Sequence, residues 1–147
     1  TATFIRLNKA YVQDCGTYGA ANTGDIIIET EGGTLQGDIL AGLGKTELGL
    51  YTIPAGKTGY LTRIEVFWDG NKSGTVRGFF RKDANVVSAP FTAIEMFVEF
   101  PNFSGEEEVV YDSYVMLPAK TDLWFEGKAN TSGAPCDVEF DLVLIDD

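Results

Sequence analysis

The sequence predicts an all-β protein, an antiparallel two-sheet β-sandwich of jelly-roll-like character with about eight to ten strands. Three observations lead there. Apolar residues recur with period two, carried by β-branched and aromatic side chains. No window sets apolar residues at i, i+3, i+4 and i+7 behind a capping residue, so helix signals are nearly absent. The 17 glycines and 5 prolines are spread along the 147 residues and supply turns at short intervals. The length fits one domain, residues 1–147, with a core large enough to need no metal or disulfide framework. A hydrophobic content of 44% argues against disorder.

The elements follow in order. Residues 4–12, 25–29 and 47–53 read as strands of the N-terminal third, and residues 1–12 are the segment best suited to act as an assembly strand or arm. Pro54-Ala55-Gly56-Lys57 closes this section as a turn, because Pro54 fixes φ and Gly56 permits the left-handed conformation. Residues 58–68 place Tyr60, Ile64, Val66 and Trp68 on one face, with Arg63 and Glu65 opposite. Residues 69–74, Asp-Gly-Asn-Lys-Ser-Gly, read as a hairpin loop. Residues 75–82 return, with Val76 and Phe80 on one side and Arg77, Phe79 and Arg81 on the other. Residues 91–100 alternate Ile94, Met96, Val98 and Phe100 against Glu95 and Glu99, and Pro101-Asn102-Phe103-Ser104-Gly105 follows as a turn. Shorter strands are expected at 108–111 and 122–126, separated by a connection at Leu117-Pro118-Ala119-Lys120, since Pro118 cannot donate to a ladder. In the last strand, Cys136, Val138, Phe140, Leu142 and Leu144 share a face. Asp137, Glu139 and Asp141 share the other, which turns apolar at Val143 and Ile145, as a wet face with a covered end does.

Lys plus Arg is 11 and Asp plus Glu is 22, a formal net charge of −11. Such a surface repels phosphate backbones and anionic lipid, so neither nucleic acid nor membrane is an expected partner. Basic patches and apolar surfaces are. No apolar run reaches transmembrane length, and no basic region followed by an apolar one marks a signal peptide. The chain opens at Thr1 without an initiator methionine, from which a processed product is expected. Cys15 and Cys136 read as two reduced thiols or as a pair stapling an early turn to the last strand. No Cys-x-x-Cys spacing suggests redox chemistry or zinc.

Histidine is absent, which removes the commonest general base and metal ligand and every Ser-His or Cys-His pairing. Two carboxylates would suffice for glycoside cleavage, but with 22 acidic residues such pairs arise by chance. Gly42-Leu43-Gly44-Lys45-Thr46 ends like a phosphate loop, yet Ile39 stands where the first glycine belongs and a strand follows in place of a helix. Glu106-Glu107-Glu108 reads as a solvated run leading into a strand, and Asp69-Gly70-Asn71 as turn chemistry, since it lacks a calcium loop's remaining ligands. No catalytic, cofactor-binding or metal-ligating residue is assigned. Aromatics at period two belong to a core by default. The exceptions are Phe79, between Arg77 and Arg81 on an outward face, and Phe103, in a turn near Pro101. Phe79, Arg77, Arg81 and Phe103, with Phe4 and Ile5 of the N-terminal strand, are the candidates for contact with another protein.

Residues 51–62, Tyr-Thr-Ile-Pro-Ala-Gly-Lys-Thr-Gly-Tyr-Leu-Thr, with Leu117-Pro118-Ala119-Lys120-Thr121-Asp122 and Phe140-Asp141-Leu142-Val143-Leu144-Ile145-Asp146, resemble a group of virion structural proteins of tailed bacteriophages from marine and cyanobacterial hosts. Residues 4–12 and Gly24-Asp25-Ile26-Ile27 look like the same group, so the resemblance spans most of the chain. Its motifs are structural signatures, and no functional residue is carried over. Members of the group often extend ahead of the Phe-Ile-Arg strand, so a lost leading segment is expected here.

The resemblance implies a non-enzymatic virion protein, assembled in the host cytoplasm, that decorates or cements the capsid by bridging major capsid subunits. A homo-oligomer is expected, with a trimer favoured by a local three-fold on a shell. The alternative is a host-recognition module on a tail or head fibre, binding surface glycan or a receptor through loop aromatics, Phe103 first. A carboxylate-based carbohydrate-cleaving enzyme and a non-viral filament subunit joined by strand exchange through residues 4–12 complete the field.

Overall fold

The computed structural model describes residues 7, 10–13, 22–42, 49–86 and 88–147. The chain forms two compact units, Thr1–Leu48 and Gly49–Asp147. The described residues are all-β and form two antiparallel sheets, as the alternation predicts.

In the first unit, β1 (Ile26–Glu29) and β2 (Leu35–Ile39) form a hairpin. The turn closes through Thr30, whose N–H donates to the Thr34 carbonyl at 2.9 Å, and through Gly33 at φ 75°. The Ala41 N–H donates to the Asp25 carboxylate at 2.8 Å, tying the two ends together. β1 falls within the expected strand at 25–29, whereas β2 had no clear alternation to announce it. The expected strand at 4–12 and the Gly-Lys-Thr loop fall largely outside the described residues, as do Phe4, Ile5 and Cys15.

The second unit contains β3 (Leu50–Thr52), β4 (Lys57–Arg81), β5 (Ile94–Leu117), β6 (Asp122–Ala129) and β7 (Cys136–Asp146), in the order β3-β6-β4-β5 with β7 also on β4. Two of these strands are far longer than usual because each bends and serves twice. Residues 57–68 of β4 lie between β7 and residues 105–117 of β5. Residues 73–81 lie between β6 and residues 94–104 of β5. The bend sits at residues 69–72, which have no partner in β5, where Gly105 and Ser104 are consecutive. Across the same corner the Asp69 N–H donates to the Pro135 carbonyl and the Asn130 N–H to the Ser73 carbonyl. The expected hairpin at 69–74 is therefore corrected. The chain turns a corner there, and the two halves of β4 pair with β7 and β6 rather than with each other. The expected turn at 101–105 is likewise part of β5, an edge strand that tolerates Pro101.

The bend folds one layer (β7, first half of β4, second half of β5) over another (β3, β6, second half of β4, first half of β5). Phe125 of β6 and Phe140 of β7 meet between them at 5.8 Å, and Tyr51 of β3 meets Phe140 at 6.3 Å. Ile53, Leu61, Ile64, Val66, Trp68, Val76, Phe100, Phe103, Leu117 and Leu123 form the buried core. Each large apolar side chain so buried contributes roughly 1.5–3 kcal/mol. Trp68 fills the fold of the corner. A Cβ on Gly74 would lie 2.3 Å from its ring and 2.5 Å from the Lys128 carbonyl, so only glycine fits there.

Besides the bend, three irregularities reset the alternation, at Thr62, at Phe97 and at Pro101–Asn102 opposite Thr75. Leu61 and Arg63 pair with the consecutive Leu142 and Asp141, leaving Thr62 as the extra residue. Leu61 rather than Tyr60 thereby joins Ile64, Val66 and Trp68 inside. Gly78 and Phe79 pair with Val98 and Met96, leaving Phe97 extra. Val98 and Phe100 keep the inward face, but Ile94 and Met96 move outside.

The two Pro-Ala segments form one corner. The Ile53 N–H donates to the Thr121 carbonyl and the Lys120 N–H to the Ile53 carbonyl, both at 2.8 Å. Gly56 has φ 75°, as the turn requires, and Lys57 reaches Asp146 at 2.5 Å.

Candidate interaction surface

The outer faces of the two layers differ in chemistry. In the first layer, Phe67 of β4 pairs with Glu106 and Asp137, Glu65 with Glu108 and Glu139, and Arg63 with Val110 and Asp141. Arg63 forms ion pairs with Glu65 and Glu108 and lies 3.8 Å from Asp141. The hydrogen bond that Arg63 donates to Glu108 outweighs desolvation and raises the guanidinium's already high pKa. Beyond the Thr62 bulge the same face turns apolar. Tyr60 pairs with Met116 and Val143, and Thr58 with Ile145. Met116, Val143 and Ile145 are all more than half exposed, so the strand end expected to be covered is open.

The second layer carries a cross-strand apolar row. Leu50, Trp124, Phe79 and Met96 occupy matching positions on β3, β6, β4 and β5. Phe79 and Trp124 stack at 5.6 Å with their planes 22° apart, and the Trp124 indole N–H donates to Glu126 at 2.9 Å. Met96 is 55% exposed and Ile94 is 61% exposed, values that set them apart from the core. Phe91, also exposed, lies under the Arg81 guanidinium at 5.9 Å. One row away, Arg77 pairs with Glu126 and Glu99, and its Nε donates to Glu99 at 2.6 Å. On the other side, Arg81 pairs with Asp122 and Ile94. The result is an aromatic and aliphatic strip with charge of both signs along its edges.

Of the sequence candidates, Arg77, Phe79 and Arg81 come together on this face. Phe103 does not. It is 8% exposed and packs on Trp68 at 6.3 Å and Phe100 at 6.1 Å. The cause is the irregularity at Pro101 and Asn102, opposite Thr75, where Asn102 has φ 44° and donates its N–H to the Thr75 hydroxyl. That extra residue turns Phe103 inward. Trp124, Met96, Ile94, Phe91 and Leu50 were not singled out. Trp124 was legible, because Leu123 and Phe125 claim the inward face and leave it between Asp122 and Glu126. Met96 and Ile94 were not, because the Phe97 bulge is invisible to a strict period of two.

Among the described residues, no group of three or more His, Cys, Asp or Glu side chains is placed to hold a metal ion. Cys136 is a free, half-buried thiol whose pKa is raised by burial and then by Asp137. Among the described residues, no helix is long and apolar enough to cross a membrane. Comparison with known proteins found no matching family model, no matching curated protein and no matching solved structure.

Proposed function

We propose that the chain is a non-enzymatic structural protein of a bacteriophage virion that decorates the capsid and cements neighbouring capsid subunits. The reading rests on the motif resemblance, and one observation carries it further. The row Leu50–Trp124–Phe79–Met96 leaves aromatic and aliphatic surface outside a core that is complete without it. Aromatic residues, methionine and arginine are the side chains enriched at protein interfaces. A cement protein adds buried interface between capsomers and so lowers the tendency of a packed shell to burst. A jelly roll is a long antiparallel hairpin rolled over on itself, and the bent β4–β5 hairpin supports that finer reading of the fold.

The host-recognition alternative loses its first residue, since Phe103 lies in the core. The test is to strip the protein from purified particles and add it back. Stripped particles are expected to burst at lower temperature and milder osmotic shock, and to recover on re-addition. Equal resistance with and without the protein, or its presence only at the tail tip, would refute the cement role.

A further inference from the structure

We infer that the outer face of the second layer binds a second copy of this chain through a two-fold axis running between β4 and β6, parallel to the strands. The layer has four strands in the order β3-β6-β4-β5, so an axis at its centre exchanges β6 with β4 and β3 with β5. The cross-strand pairs then dictate what meets what. Phe79 lies over the partner's Trp124, Met96 over the partner's Leu50 and Arg77 over the partner's Glu126, while the position facing Arg81 is the partner's Asp122, a buried carboxylate that accepts from the Thr52 hydroxyl within its own chain and adds nothing to the contact. In the next row Lys128 meets the partner's Thr75. Because Arg77 and Glu126 are also neighbours within one chain, the axis generates a square of alternating charge beside a cluster of four aromatic rings. No pair in these rows brings like charges together.

Charge selects this occupant and this face. A second copy also carries −11, so it can dock only where the local surface is balanced. On the first layer β4 is central, with β5 and β7 on either side. A two-fold along β4 would stack Glu65 on itself and Glu108 on the partner's Glu139. On that axis the apolar Tyr60–Met116–Val143 row is buried only by bringing those carboxylates together. Sheets pack face to face with strands nearly aligned, which such an axis provides. Three strands of eight residues and the three-residue β3, spaced ~4.8 Å apart, give a footprint of roughly 430 Å² per copy, or about 850 Å² in all, the size of a weak, reversible interface. The inference rests on reading this face as a docking surface and assigns it to a second copy, so that contact with a capsid falls to the dimer's other surfaces.

The test is sedimentation of the full chain with two charge-reversed variants, Arg77→Glu and Glu126→Arg, both checked for fold by circular dichroism. The wild type is expected to reach a dimer mass at about 100 μM, with association weakened at least about tenfold in either variant alone. Mixed together, the two variants are expected to associate one to one, because each reversed charge then faces its opposite across the axis. Intrachain pairing cannot produce that recovery. Should either reversal unfold the chain, Met96→Lys, at an exposed position, tests the same face, and unchanged association would overturn the inference. A wild type that stays monomeric, a trimer mass, or no recovery on mixing would also overturn it. A monomer that still binds particles through this face would refute the dimer and leave the decoration reading standing.

Discussion

The two layers share one interior and have opposite exteriors. Inward, both present the same aliphatic and aromatic side chains, and Trp68, Phe125 and Phe140 knit them across the fold. Outward, the first layer surrounds Arg63 with carboxylates and is apolar only at its far end, at Met116, Val143 and Ile145, while the second lays Trp124 and Phe79 flat against each other across its middle, beside an exposed Met96. Folding accounts for the interior and for the acidic exterior, which only has to be wet. It does not account for the aromatic exterior, since the core closes without those side chains. Apolar surface with no role in folding is retained for binding.

The sharpest way to break the comparison is through the shared interior. Trp68→Ala removes the side chain that fills the corner of the bend, and both layers should loosen together. A loss of roughly 3–5 kcal/mol is expected from denaturant unfolding. Separate transitions for the two layers would show that they are not one cooperative unit.

Gly74→Ala comes next. Its Cβ would meet the Trp68 ring and the Lys128 carbonyl, and the backbone cannot yield as a flexible side chain would. A cost of about 1–3 kcal/mol is expected in the same measurement. No cost would mean that the ring stands further from β4 than described.

The first layer's exterior should respond to salt. Removing Arg63 as Arg63→Ala leaves Glu65, Glu108 and Asp141 facing one another uncompensated. The variant is expected to lose stability most at low ionic strength and to recover as salt is added, because screening shortens the reach of repulsion. A loss independent of salt would point to the packing of the arginine stem instead.

The smallest effect concerns pH. Hydrogen bonding to Lys57, reinforced by its charge, holds Asp146 below its ordinary carboxylate value. A lowered folded-state pKa contributes stability that is present above the unfolded value and is lost as pH falls through the folded one. Asp146→Asn should therefore lower stability slightly at neutral pH, leave it unchanged at low pH, and so flatten the acid limb of the stability profile.

Much of this was legible in the sequence, and the failures have physical causes. β7 follows its alternation residue by residue, with Cys136 to Leu144 inward at every second position. The Pro54–Gly56 turn was fixed by local chemistry and formed as expected. What the local sequence could not say was which strands pair. Asp-Gly-Asn-Lys-Ser-Gly suits a chain that reverses and equally a chain that turns a corner between layers. Only β6 and β7, which begin at Asp122 and Cys136 far along the chain, decide for the corner. The bulges at Thr62 and Phe97 are the second cause. Each inserts one residue and moves the neighbouring side chains to the opposite face, sending Tyr60, Ile94 and Met96 outward. The surface was therefore half visible, through Arg77, Phe79 and Arg81, while Phe103 was assigned to it and belongs to the core.

The claim that the aromatic face serves binding and not folding is tested most directly by two readings on one Met96→Lys sample: the free energy of unfolding and the mass in solution. Stability should remain within about 0.5 kcal/mol of the parent chain, as for an ordinary surface position, while self-association is lost. A fall of several kcal/mol, or association that survives the new charge, would contradict it.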